Sequence, residues 1–470
     1  MKSIGPWPAA GLALSLTLMP AGSTLASPER LEADLRAMFG DTGMLEIGDV
    51  SSPTFSLGSR VVAEALVYES DQGERVLIDR YTVRGDYDAP DAVVIDGLSV
   101  EDSQTGLTLI SAKKLLLEEP SHAVFPMDGS SSDVEWHIQE LAIDDLTFDL
   151  ASELAEGLFG DAPWAGGSGH LDIARIEGRD LAKGHIGLFE AKDLSGEGRN
   201  LGELGSGSFR LALFRMENVR DLDVEGETRG DELLLSDMVF DTDRLTGAFE
   251  RLRLDGNMDD GQGGLWLDAL SMDLDRMIAQ APADQRTQMR MVSNVLTDGT
   301  GELNLDAAFE GRWTADDGKG TLLAKGMIDV ADALRVGMDM DLPVAVPEGA
   351  DASTYLANSD NFEDLTLLGG NIVLRLEDLG MFGRIAPIGA AMSGVSEQQY
   401  LEQARTQAKG FGMMLGKEAQ EILVALVGML EGDVSKLTVS TTLPAESSLA
   451  TYREDPLGVT ERAKIRVESR

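Results

Sequence analysis

The sequence predicts an α+β, β-rich fold: long antiparallel curved sheets carrying amphipathic helices. Three observations lead there. Most of the chain alternates apolar and polar residues with period two, the signature of a strand with one dry face and one wet face. Short Gly- and Asp-rich turns separate these runs. Helical spacing of apolar residues is confined to a few segments.

Length and composition bound the answer. The chain has 470 residues, with 82 acidic and 39 basic side chains, for a formal charge of −43. Nucleic-acid binders gather basic side chains against phosphate, so this balance argues against such a partner. There is no cysteine, which excludes disulfides, thiolate catalysis and cysteine-ligated zinc. At 43% hydrophobic residues the chain can bury real cores. Of the basic residues 11 are lysine and 28 arginine. The acid excess reads as a hydrated surface that keeps molecules apart rather than as a set of cation sites.

Met1 to Ala26 reads as a cleavable signal peptide. Ala9 to Met19 is uncharged and apolar, Pro20 and Gly22 break it, and Thr24-Leu25-Ala26 places small residues before a cut at Ser27. The apolar run is too short to span a bilayer. The expectation is therefore export to the periplasm of the cell envelope, with no transmembrane anchor left after cleavage.

Helix, turn and strand then recur. Leu31, Leu35, Met38 and Phe39 share a helical face before Asp41-Thr42-Gly43 and the strand at Leu45. Leu150, Leu154 and Leu158 precede the glycine-rich turn before Leu171. Leu274, Met277, Ile278, Val292 and Val295 precede Asp298-Gly299-Thr300-Gly301 and Leu303. A longer helical region ending at Leu430 precedes Glu431-Gly432-Asp433 and Leu437. The leading strand leucines are 126, 132 and 134 residues apart, which suggests about four tandem units. Between them the chain reads as β-meander: Val62 to Tyr68 and Arg75 to Val83 flank the turn Asp71-Gln72-Gly73. The expected division is a signal peptide over 1–26, a β-rich region with short helices over 27–230, and a β-rich region with one helix pair over 231–345. A strand-helices-strand module over 346–443 and a charge-neutral, disordered tail over 444–470 complete it.

The C-terminal helices open on Ser396-Glu397-Gln398-Gln399, the spacing of a capping box. Leu401, Ala404, Ala408, Phe411 and Leu415 form a stripe that Ile422, Leu426 and Leu430 continue past a bend at Gly410 to Gly416. Such a stripe packs on the chain's own sheet, or forms a membrane-surface element or a lid over a hydrophobic groove; the mixed-sign charge on the polar face argues against the membrane version. Phe411, Met414, Leu415, Ile422 and Leu426 are the candidate lid or groove residues, with methionine adapting to irregular apolar shapes.

Catalytic patterns fail on inspection. Ser111-Ala112-Lys113-Lys114 matches a β-lactamase spacing, but that serine must open a helix and Ser111 lies in an alternating run. Ser359-Asp360-Asn361 stands 248 residues away with no Lys-Thr-Gly after it. Gly166-Gly167-Ser168-Gly169-His170 misses the nucleophile elbow. His122, His137, His170 and His185 have no metal-ligand spacing. Asp255 to Gly261 begins like a calcium loop but has Asp260 for the glycine and Trp266 for the final glutamate. No catalytic residue, metal or cofactor is expected, and the chain reads as a non-enzyme.

Ile143-Asp144-Asp145-Leu146-Thr147-Phe148-Asp149-Leu150, Val94-Ile95-Asp96-Gly97-Leu98-Ser99-Val100 and Leu252-Arg253-Leu254-Asp255-Gly256 resemble the short β-repeats of AsmA-like periplasmic envelope proteins. The resemblance implies a long curved sheet whose apolar inner face handles lipid. Two roles follow: binding a lipid or other hydrophobic ligand along a one-sided sheet, or a structural or protein-interaction module whose acidic surface meets basic partners or cations. A continuous apolar face left uncovered by helices favours the first.

Overall fold

The computed structural model describes residues 27–39, 43–53, 59–71, 73–124, 135–152, 167–200, 205–224, 228–256, 261–316, 319–347, 355, 365–448, 450 and 462–470. The segment 1–26 expected to be a signal peptide, Leu154 and Leu158, Ser359-Asp360-Asn361 and most of the calcium-like loop lie outside these residues. The chain divides into two compact units, Met1–Asp243 and Arg244–Arg470. It is β-rich α+β, built from long antiparallel strands with six amphipathic helices among the described residues.

Unit 1 opens with helix α1 (Pro28–Phe39). It then runs as a ten-strand meander: β1 (Gly43–Ser51), β2 (Arg60–Ser70), β3 (Glu74–Gly85), β4 (Pro90–Asp102), β5 (Thr108–Glu118), β6 (His137–Asp149), β7 (Ser168–Ala182), β8 (His185–Arg199), β9 (Gly207–Arg220) and β10 (Glu232–Thr242). Each strand pairs antiparallel with the next. Leu31 and Leu35 of α1 are fully buried against Val61, Ala63 and Leu66 of β2. Phe39 stacks on Tyr68, ring centroids 4.6 Å apart. Tyr87 donates to Asp34 at 2.8 Å, and Arg30 lies over its ring, which fixes α1 at its other end.

A crease crosses this meander. Every adjacent pair skips a position along the line Gly48–Ala65–Asp79–Gly97–Lys113–Asp145–Ala174–Asp193–Ala212–Asp237, and β6 to β9 skip a second along Gln139–Asp180–Gly187–Asn218. On every second strand the skipped residue is left-handed: Ala65, Gly97, Asp145, Asp193 and Asp237 have φ between 52° and 65°. A left-handed residue in a strand bends it and steepens its twist, as in a β-bulge. It also shifts the side-chain alternation by one. Ile143 and Leu146, three residues apart, therefore pack in the same cluster, as do Ala63 and Leu66. The local sequence is two apolar residues separated by two others, as in Ile143-Asp144-Asp145-Leu146 and Ile95-Asp96-Gly97-Leu98. Asp and Gly suit the third position because they tolerate left-handed backbone.

Unit 2 is an eight-strand meander: β11 (Thr246–Asp255), β12 (Gln262–Asp273), β13 (Glu302–Asp316), β14 (Lys319–Val330), β15 (Leu334–Ala345), β16 (Thr366–Asp378), β17 (Lys436–Ser448) and β18 (Lys464–Ser469), again paired in chain order. Helices α2 (Leu274–Gln280) and α3 (Arg286–Thr297) join β12 to β13. Helices α4 (Met381–Ser393), α5 (Glu397–Leu415) and α6 (Lys417–Glu431) join β16 to β17. The capping box forms: Gln399 N donates to Ser396 Oγ and Ser396 N donates to Gln399 Oε1, at 3.3 and 3.1 Å.

Two expectations are corrected here. The divisions at 230/231 and 345/346 are crossed by full ladders, β9 with β10 and β15 with β16, because strand pairing continues across the loop at each division. The tail over 444–470 is not wholly irregular: β17 continues to Ser448 and Lys464–Ser469 pairs with Leu437–Thr442. A short strand of mixed charge carries little signal in its own sequence, and the neighbouring strand supplies its hydrogen bonds.

Candidate functional site: a one-sided apolar sheet face

Period-two strands in exact register bring like residues into rows that run across the sheet. In unit 2 one row is Leu254–Leu265–Phe309–Gly326–Met338–Leu374–Val439–Val467, apolar on all eight strands. The neighbouring row on the same face is Leu252–Leu267–Ala307–Ile328–Val336–Leu376–Leu437–Ser469, apolar until the edge. Gly326 interrupts the first row only in name. A Cβ there would stand 3.0 Å from the Phe309 ring, so the phenyl group fills the glycine's place.

Helix α6 covers one end of these rows. Leu376, Leu437, Val439 and Val467 pack with Ala425 and the fully buried Met429. Toward β11 the rows emerge: Leu254, Leu265, Phe309 and Leu374 are between 37% and 47% exposed. Five strand spacings of about 4.8 Å separate Leu254 from Leu374, so the open stretch is about 24 Å long. Contiguous apolar surface of this kind marks a binding face more often than chance exposure does.

The opposite face mixes paired charges with apolar side chains such as Leu323 and Met327. Asp329, Arg335, Glu377 and Lys436 are cross-strand neighbours. Arg335 meets Asp329 at 2.5 Å and Lys436 meets Glu377 at 2.7 Å. The hydrogen bond from Lys436 holds the Glu377 carboxyl below its usual range, and Asp329 raises Arg335. A shallow depression of about 350 Å³ on this face is lined by Glu310, Lys325, Arg335, Asp339 and Arg375. Arg375 pairs with Asp339.

Unit 1 repeats the one-sided arrangement. Ile47–Leu66–Ile78–Leu98–Ala112–Leu146–Ile173–Leu194–Leu211–Met238 is apolar on all ten strands. Beyond the crease the row Val50–Ala63–Tyr81–Ile95–Leu115–Ile143–Ile176–Ala191–Phe214–Leu235 continues on the same side. Near α1 this face is fully buried, whereas Leu194, Phe209 and Phe214 are half-buried.

The five candidate lid residues separate into two groups. Ile422 and Leu426 lie half-buried against the sheet with Met429. Phe411, Met414 and Leu415 stand at the end of the α5–α6 hairpin, exposed. Of the histidines, His137 and His185 face Asp180 at 3.4 and 3.2 Å, His170 faces Asp172, and His122 meets Ser121. Among the described residues no group of three or more His, Asp or Glu is placed to hold a metal ion. Ser111 sits in the interior of β5. No helix among the described residues is long and apolar enough to cross a membrane.

The row residues are what sequence reasoning missed as a site. Each strand's alternation was visible, but which leucine meets which depends on the register. A scan against protein-family models finds no match, and a search of curated proteins finds no similar sequence.

Proposed function

We propose that this protein is an exported, non-enzymatic component of the cell envelope that binds lipid acyl chains along the apolar face of its sheets. One observation carries the reading: two adjacent rows of apolar side chains cross unit 2 in register, and Leu254, Leu265, Phe309 and Leu374 of the first remain exposed beyond the part that α6 covers. From β11 to β17 the rows offer no hydrogen-bonding side chain. A bound peptide would have to leave its amides unsatisfied there, at a cost of several kcal/mol for each group fully removed from water. A hydrocarbon chain has no such groups and gains from every apolar contact. Periplasmic location rests on the Met1 to Ala26 segment.

The acidic-interaction alternative draws less support. In unit 2 the run Asp329, Arg335, Glu377 and Lys436 alternates in sign from strand to strand, although Asp306 also faces Asp329.

Titration of the mature protein with a fluorescent long-chain fatty acid tests the reading. Saturable binding, weakened at least about tenfold by Leu265→Lys with Leu374→Lys, is the expected result. Unsaturable binding, or binding indifferent to those changes, contradicts it.

A further inference from the structure

We infer that the tip of the α5–α6 hairpin is a membrane-docking element that inserts into a bilayer surface containing anionic lipid. This goes beyond acyl-chain binding by the sheet and uses different residues.

The hairpin is tightly closed. Gly416 alone joins the helices, at φ 103°. A Cβ on Gly412 would stand 2.4 Å from the Gln420 Cβ, so the helices touch close to their joint. Further along, Arg405 meets both carboxylate oxygens of Glu431 at 2.6 Å. With its base held on the sheet through Met429 and Leu437, the hairpin presents its tip as a fixed feature.

At that tip the usual burial rule fails. Phe411, Met413 and Met414 are 56%, 79% and 81% exposed, and Leu415 joins them. Four large apolar side chains within five residues form a convex knob. A single lipid molecule needs a concavity, which this is not. A fluid acyl boundary accepts such a knob without shape complementarity.

The surrounding charge names the surface. From Gln403 to Lys417 there are fifteen consecutive residues with no acid and three bases, in a chain carrying 82 acids. Glu431 neutralises Arg405, and Lys417 reaches Glu421 at 3.4 Å while remaining 80% exposed. Lys409 and Lys417 thus flank the knob, with stems able to lie along the interface and ammonium groups at headgroup level. Glu418 and Glu421, in the first turns of α6, sit beside Lys417 and offset part of this positive charge, while more distant acids are screened over about 8–10 Å at ordinary salt. Two copies joined tip to tip would oppose lysine to lysine, which disfavours self-association there.

Co-sedimentation of the full mature chain with vesicles tests this, using phosphatidylcholine alone and an equal mixture with phosphatidylglycerol. Binding to the mixed vesicles is expected, reduced at least about tenfold by Met413→Asp with Met414→Asp, and reduced by added salt. Those side chains are exposed, so the melting temperature should hold. Lys409→Glu with Lys417→Glu should remove the preference for the mixed vesicles. Because the chain has no cysteine, Met414→Cys can carry a polarity-sensitive dye, whose emission should shift to the blue on the mixed vesicles. Absence of binding, binding unchanged by the methionine pair, or a dimer in light scattering that the pair dissolves would each overturn the inference. Leu265→Lys with Leu374→Lys should leave vesicle binding intact, which separates this result from that for acyl-chain binding.

Discussion

Lys113 and Asp145 face each other across β5 and β6, ammonium to carboxylate at 3.2 Å, at the one position where the ladder between those strands skips. Asp145 is left-handed at φ 52°. Two effects meet at this residue, and their sizes differ. An exposed ion pair contributes about 0–1 kcal/mol. Forcing an ordinary side chain into left-handed backbone costs roughly 1–2 kcal/mol.

The backbone term should therefore dominate. Asp145→Gly, which deletes the ion pair and relaxes the backbone, should leave stability near that of the parent. Asp145→Val should lose roughly 1–2 kcal/mol, since β-branching adds crowding. Urea unfolding of the two variants decides. Equal losses would mean that the ion pair, not the left-handed turn, fixes the crease.

The tyrosines beneath α1 make a pH prediction. Burial is the first cause raising Tyr81 and Tyr87 above the ordinary value of 10.0, and for Tyr87 the bond to Asp34 adds to it. A raised folded-state value means that the fold holds protons the unfolded chain would release. The stability is present below pH about 10 and is lost as pH rises beyond it toward the folded-state values. Melting temperatures between pH 9 and pH 12 should fall more steeply for the parent than for Tyr81→Phe with Tyr87→Phe. Parallel curves would show that these phenols do not titrate with unfolding.

Two glycines in α5 should respond with opposite sign. Gly410 has open space where a Cβ would go, so Gly410→Ala should stabilise by about 0.5–1 kcal/mol through helix propensity. Gly412 has Gln420 there, so Gly412→Ala should push the helices apart and destabilise by about 1–3 kcal/mol. Thermal unfolding of both variants checks this, and a stabilised Gly412→Ala would refute the close hairpin.

The strands and the capping box could be read directly, because period two and a serine three residues before glutamine are local signals. The crease left a trace in Ile143-Asp144-Asp145-Leu146, where two polar residues stand between apolar ones. It could be taken for simple alternation because the left-handed turn shifts the period without ending the strand. The stripe through Phe411, Leu415, Ile422 and Leu426 shows the limit most plainly. Helical spacing says which residues share a face, but not what covers it. Here the break at Gly416 turns α6 back, so Ile422 and Leu426 reach the sheet and Phe411 and Leu415 do not. The apolar rows of unit 2 depend on pairings between residues tens of positions apart, such as Leu265 with Phe309, which no local pattern encodes.

Native mass spectrometry of the protein purified from its native cells tests the central claim most directly. Acyl-chain binding along the sheet predicts a population heavier than the bare chain by the mass of one or more lipids. That population should be missing from Leu265→Lys with Leu374→Lys and retained in Met413→Asp with Met414→Asp. A bare-chain mass for the parent protein, or lipid adducts that survive the two lysine substitutions, would contradict it.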